Sequence, residues 1–210
     1  MNKKIIIFSV IIIAFLMGIF SYPLVPDRMA SHWNEQGLVN GYVSKGVGLF
    51  FFPILILIIS LFLLLIPKID PLKKNIEKFQ EEYDLFVVWF TVFFFYIYAL
   101  TLLWNMGATF SMTLVLMPAF AALFYFMAIL LEKAKRNYFI GIRTPWTLAS
   151  DEVWNKTHKL GAKLFKIVAL FTLISVFFTQ FSFYFVFIPL IVFSLYLVFY
   201  SYSEFKREEK

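Results

Sequence analysis

The chain has 210 residues, of which 61% are hydrophobic and 15% charged, with no cysteine and a net charge of +6. Soluble domains are nearer half apolar and a quarter charged, so composition excludes an ordinary soluble fold. The missing cysteine excludes disulfides, thiolate catalysis and cysteine-based metal sites.

The chain opens with Lys3 and Lys4 ahead of an apolar run over 5–22. A basic start before an apolar stretch also describes a signal peptide, but this run exceeds a signal core and no small-x-small site precedes Tyr22. It reads as an uncleaved helix. Five more apolar runs follow, over 47–66, 85–104, 112–131, 164–179 and 183–201. Each is close to the roughly 20 residues that cross a bilayer. None alternates apolar with polar residues, as barrel strands do, so in hydrocarbon each must be a helix that satisfies its own backbone. The fold class is therefore an all-α polytopic membrane protein with six transmembrane helices.

Charge sets the expected orientation. Two Lys precede the first span, four lie in 68–84, eight Lys and Arg lie between 133 and 166, and three close the chain; only Arg28 and Lys45 fall on the other side. Lys and Arg remain on the cytoplasmic face, which predicts cytoplasmic N- and C-termini in the cell membrane. The charge marks topology rather than a nucleic-acid partner, which needs a basic face with a readable motif. No Asp, Glu or His falls at a bilayer midplane, where coupled transporters place them. Pro53 and Pro118 read as opening-turn prolines, tolerated there, and Pro189 as a kink in the last span.

Between the spans, 105–111 and 180–182 are short uncharged turns, and 68–84 reads as a solvated surface with Glu77 and Glu81 four apart. Two loops carry more information. In the external loop over 23–46, Pro23 and Pro26 end the first helix, and Gly37 and Asn40-Gly41 are turn signals, the latter the type of a two-residue hairpin turn. A small hairpin on the outer face is expected. In the internal loop over 132–163, Thr144 precedes Pro145 and is extended. Ser150 is a good N-cap, with Asp151 and Glu152 in a first turn where acid suits the helix dipole. From there a helix continues through Trp154 and His158 into the fifth span, its apolar face docked on the bundle or lying on the membrane surface. The chain thus divides into a two-helix unit over 1–67 and a four-helix unit over 68–210.

The residues offer three chemistries, each with a plainer alternative. His32 and Glu35, with Asp27 near, have a metal-like spacing, but with one His on this side and no Cys the favoured reading is a surface histidine packed on Trp33 or bonded to a loop carbonyl. Arg143 with Thr144, Trp146 and Thr147 suits an anion, through the fork of its guanidinium. The plainer reading, and the one the chemistry favours, is an interfacial anchor, with Arg to headgroups and Trp in the aromatic belt. Asp151, Glu152 and His158 form no hydrolytic set. No cofactor is implied.

The stretch Ile140-Gly-Ile-Arg-Thr-Pro-Trp-Thr-Leu148, followed by Glu152-Val-Trp154 and Lys156-Thr-His-Lys-Leu-Gly161, resembles the signature of the SdpI-type immunity protein family. The external residues Pro26, Ser31-His-Trp-Asn34, Gly37, Tyr42 and Lys45 resemble an N-terminal domain of unknown function that such proteins often carry. Asn40 stands where that pattern has an acidic residue. The resemblance implies a non-enzymatic membrane protein that protects its producer from a secreted toxin peptide. For some members it also implies relay of the toxin's presence to a cytoplasmic transcriptional repressor. Carried onto this chain, the internal motif is Arg143, Thr144, Pro145, Trp146, Thr147, Trp154, Thr157 and His158; the external motif is His32, Trp33, Asn34, Gly37 and Lys45. A second reading is a small transporter or lipid-interacting protein with a polar cavity near Arg143. A third is a metal-dependent membrane enzyme built on His32 and Glu35.

Overall fold

A computed structural model describes residues 3–34 and 37–209. Its elements are α1 (Lys3–Ser21), β1 (Arg28–Trp33), β2 (Val39–Ser44), α2 (Lys45–Ile69), α3 (Lys73–Ile76), α4 (Gln80–Asn105), α5 (Met112–Lys133), α6 (Pro145–Ala149), α7 (Asp151–Ile174) and α8 (Ser182–Glu208). Among the described residues six helices are long and apolar enough to cross a membrane, and each overlaps one of the six runs read from the sequence; the fifth run, over 164–179, extends past the end of α7 at Ile174. Large apolar side chains such as Phe20, Ile58, Leu195 and Phe199 point outward from them, as a lipid-facing surface requires.

Two apolar interiors hold the bundle. α1, α2 and α4 pack on one another around Ile7, Ala14, Leu49, Ile56, Val87 and Tyr98. α5 and α8 both pack on α7, around Phe124, Val168, Ala169 and Val186. α4 joins the halves through its contact with α5, where Trp89 stacks on Phe126 at 4.3 Å and Phe93 meets Phe120 at 4.9 Å.

The prolines of α2 explain how it is fastened to α4. Pro53 was expected in the opening turns, but α2 begins at Lys45, whose N–H donates to the Asp27 carbonyl at 2.9 Å, so Pro53 lies well inside the helix. A proline has no N–H for the carbonyl four residues earlier. For Pro53 that carbonyl belongs to Leu49, and the Tyr98 hydroxyl donates to it at 2.8 Å. For Pro67 it belongs to Leu63, and the Tyr83 hydroxyl donates to it at 2.7 Å. Both acceptors left empty by α2 are thus filled by α4, as hydrocarbon demands. Between them Ser60 and Thr91 pair at 3.0 Å.

The segments rich in Lys and Arg gather at one end of the bundle. The Lys3 ammonium donates to the Glu81 carbonyl, Asn75 to the Arg136 carbonyl, and Ser150 to Glu208. The linker after α2 keeps Lys68, Lys73, Lys74, Glu77 and Lys78 at the surface, as expected, but it is not solvated throughout. Asp70 is buried, accepting from Leu72 N–H at 2.6 Å and from Tyr138 N–H at 2.8 Å, so the linker is stitched to the internal loop.

At the other end stands the antiparallel hairpin, but not with the expected turn. Asn40 and Gly41 lie within β2, with Gly41 opposite His32. The turn is the longer Asn34–Leu38 loop, closed by Asn34 N–H to the Leu38 carbonyl and Gly37 N–H to the Asn34 carbonyl, both at 2.9 Å. Gly37 supplies the positive φ of 77° that this loop needs. Gly41 instead gives room to His32 across an irregular register. The hairpin is fixed by Asn105 at the end of α4, which accepts from Ala30 N–H at 2.7 Å and donates to the Ala30 carbonyl at 3.0 Å.

Candidate functional site

The internal motif folds as a plug under the charged end of the bundle. Asn137 is buried and organises its first turn, accepting from Phe139 and Ile140 N–H while donating to the Ile140 and Lys135 carbonyls. Gly141 follows with φ of 104°, and any side chain there would overlap the His158 ring. Thr144 is extended, as the proline after it dictates. It caps α6 in a reciprocal capping box with Thr147, with Pro145 at the first helical position. Ser150 caps α7 by accepting from Glu152 and Val153 N–H, and α7 continues unbroken into the fifth span.

His158 is 1% exposed. Its Nε2 accepts from Ile142 N–H and its Nδ1 donates to the Trp154 carbonyl, each at 2.9 Å, which assigns the neutral ring with its proton on Nδ1. The ring stacks on Trp154 at 3.9 Å, and Trp154 donates its indole N–H to the Ala134 carbonyl at 2.9 Å. α8 closes the plug from the side: Ser201 pairs with Thr144 at 3.0 Å, Trp146 packs on Tyr202, and the buried Glu204 binds Lys156 at 3.1 Å and Arg207 at 2.6 Å. Arg136 ties the two ends of the loop through Asp151 at 2.8 Å and the Leu148 carbonyl at 2.9 Å.

This arrangement separates the motif into two groups. Thr144, Thr147, Trp154, Thr157 and His158 are buried, and apart from Thr157 their polar atoms are engaged within the plug. Arg143 faces outward, donating to the Tyr138 carbonyl at 2.8 Å, beside an exposed Tyr138 and Pro145. Arg143 and the threonine hydroxyls therefore do not converge on one anion. A cavity of about 250 Å³ lies above the plug, lined by Leu63, Met127, Phe139, Ile142 and Phe165. Its lining is apolar, unlike the polar cavity that a transport site near Arg143 requires.

The external motif is also divided. His32 is exposed, with Nδ1 against the Asn40 amide oxygen at 2.5 Å. Asn40 thus does with a neutral acceptor what a carboxylate would do there. Trp33 meets Trp104 edge to face at 5.6 Å, and the Asn34 side chain accepts from Leu38 N–H at 2.8 Å to hold the turn. Lys45 sits at the hairpin's base, paired with Asp27 at 3.0 Å and lying over the Tyr22 ring. Asp27 is therefore occupied at the opposite end of β1 from His32, about 16 Å away along an extended strand. Glu35 lies outside the described residues, and among those no cluster of His, Asp and Glu fits a metal ion.

Several residues that build the two ends escaped the sequence reading. Asp70 lay in a segment read as solvated surface, and neither Asn137 nor Glu204 was singled out. The Thr-Pro-x-Thr cap of α6 was legible in principle, as a helix start with proline at its first position. Asn105 carried no signal beyond its place at a helix end.

Comparison with known proteins finds a different family match around each of the two motifs. Residues 133–203 match the SdpI/YfhL protein family, and residues 9–57 match a domain of unknown function, DUF1648. Immunity protein SdpI of Bacillus subtilis (strain 168) is 25% identical over 182 residues, covering 85% of this chain and 84% of the relative. No solved structure matches.

Proposed function

We propose that this chain, which belongs to the SdpI/YfhL protein family, is a membrane immunity protein that protects its producer from a secreted antimicrobial peptide. The likeness to an immunity protein over most of both chains supports this reading. The observation that carries it is the placement of the two motifs, each bonded to the helices, at opposite ends of one membrane bundle. In this reading the hairpin end faces outward and the Lys- and Arg-rich end, with both termini, faces the cytoplasm. The exposed edge at His32 then meets the peptide, with Trp33, Asn34, Gly37 and Lys45 holding the hairpin in shape. Arg143 and Tyr138 on the opposite face are what a cytoplasmic repressor would meet. The role is one of binding, without catalysis.

The test is survival. A sensitive bacterium expressing the wild type is challenged with secreted candidate peptides, beside His32→Ala and Arg143→Ala at equal membrane levels. Protection that His32→Ala lowers and Arg143→Ala keeps supports the assignment of the two faces. A wild type present at normal levels that protects against none of the peptides refutes it.

A further inference from the structure

α5 and α8 both lean on α7 and leave a slot between them at the hairpin end, with a volume of about 350 Å³. Its mouth is polar and made by His32, Trp33 and Asn34 of the hairpin with Thr113 of α5. Below the mouth its walls are apolar: Met117, Phe120 and Phe124 on one side, Phe183, Val186, Phe187 and Leu190 on the other. The hairpin turn adjoins the roof: a Cβ added at Gly37 would stand 3.6 Å from the Ser111 hydroxyl and 3.7 Å from that of Thr113. From Thr113 to Phe124 the slot follows about 16 Å of helix, at 1.5 Å per residue. That is about half of a roughly 30 Å hydrocarbon core, the depth of one leaflet.

Shape and chemistry restrict the occupant. A helix about 10 Å across is too wide for this volume spread over that length. An extended peptide would leave its backbone N–H and C=O groups facing walls with no polar side chain below the mouth, which hydrocarbon does not tolerate. A hydrocarbon chain has no such groups. At the mouth, the Trp33 indole N–H is buried with no acceptor among the described residues. A buried donor is rarely left in that state, and an oxygen placed there would complete it.

We propose that this slot is a specific phospholipid site. One acyl chain lies between α5 and α8, and an ester or phosphate oxygen accepts from the Trp33 indole beneath the hairpin. The site goes beyond the immunity reading and does not depend on it.

The test uses the full-length protein in detergent with palmitoyl-oleoyl phosphatidylglycerol added, and reads retained lipid by native mass spectrometry. Val186→Trp fills the slot and is expected to lose one tightly bound lipid per chain. Trp33→Phe keeps an aromatic ring beside Trp104 but loses the indole N–H, and is expected to weaken retention about three- to tenfold, the worth of one hydrogen bond, with unchanged hydrogen exchange at Ala30 as the check that the hairpin stays docked. Retention equal to wild type in both variants overturns the proposal, as does a peptide rather than a lipid found in the wild-type slot.

Discussion

The Tyr98 hydroxyl allows the bonding between α2 and α4 to be measured. Tyr98 is fully buried, and its bond to the Leu49 carbonyl is 2.8 Å long. Gly18 of α1 closes the same node: a Cβ there would stand 2.9 Å from the Tyr98 oxygen and 3.0 Å from the Leu49 oxygen. Tyr98→Phe keeps the ring but strips the Leu49 carbonyl of its hydroxyl partner, because Pro53 has already removed the helical one. A buried polar group left unpaired costs about 1–3 kcal/mol. Hydrogen bonds between membrane helices average about 0.6 kcal/mol and reach about 1.7. A carbonyl with no alternative donor belongs near the top of that range, so a loss of about 1.5 kcal/mol is expected. Pro53→Ala restores the helical N–H to Leu49. In that background Tyr98→Phe should cost only about 0.5 kcal/mol, a typical low value for a single net hydrogen bond. Unfolding the four proteins in mixed micelles, followed by circular dichroism, gives the coupling directly as about 1 kcal/mol. A coupling indistinguishable from zero, within the roughly 0.3–0.5 kcal/mol over which independent sites add, would refute the argument that Tyr98 replaces the bond Pro53 cannot make.

The plug at the charged end yields three further expectations. His158→Phe keeps the stack on Trp154 but leaves Ile142 N–H without its acceptor, so hydrogen exchange at Ile142 should accelerate about tenfold, the equivalent of about 1.4 kcal/mol of local opening. Gly141→Ala combines a positive φ with overlap on the His158 ring, and should lower the thermal midpoint more than His158→Phe does. Asp70→Asn keeps one amide oxygen where two carboxylate oxygens each accept an N–H. It should free Tyr138 and speed proteolysis within 135–143, while exchange at the hairpin end stays unchanged.

What the sequence revealed, and what it hid, follows the range of the interactions involved. Ser150 and Thr144 were readable because a cap and a pre-proline residue act on atoms within three positions. The six spans were readable because bilayer thickness imposes length and apolarity on each one separately. The Pro53–Tyr98 and Pro67–Tyr83 arrangements were not, since nothing local distinguishes Tyr98 from the aromatic residues around it. Asp70 was misread for the same reason: its partner Tyr138 lies beyond two membrane crossings. The hairpin turn failed differently. Asn40-Gly41 is a strong local signal, but docking of the strands on Asn105 and the bulge at His32 set the register, and the turn moved to Asn34 and Gly37.

The internal motif shows why a long resemblance does not by itself mark a contact surface. The residues that carry it most clearly, Gly141, Thr144, Thr147, Trp154 and His158, use their chemistry on one another and on the backbone. Their side chains have little left to offer a partner, and their loss acts through stability, on either face. Arg143 differs: it spends one N–H on Tyr138 and keeps the rest of its guanidinium at the surface. His32 differs in the same way at the other end, exposed on a hairpin whose shape is held by its neighbours. A variant that abolishes protection and melts early therefore says nothing about the partner. One at His32 or Arg143 that changes protection or recruitment at an unchanged melting temperature identifies the face where the partner binds.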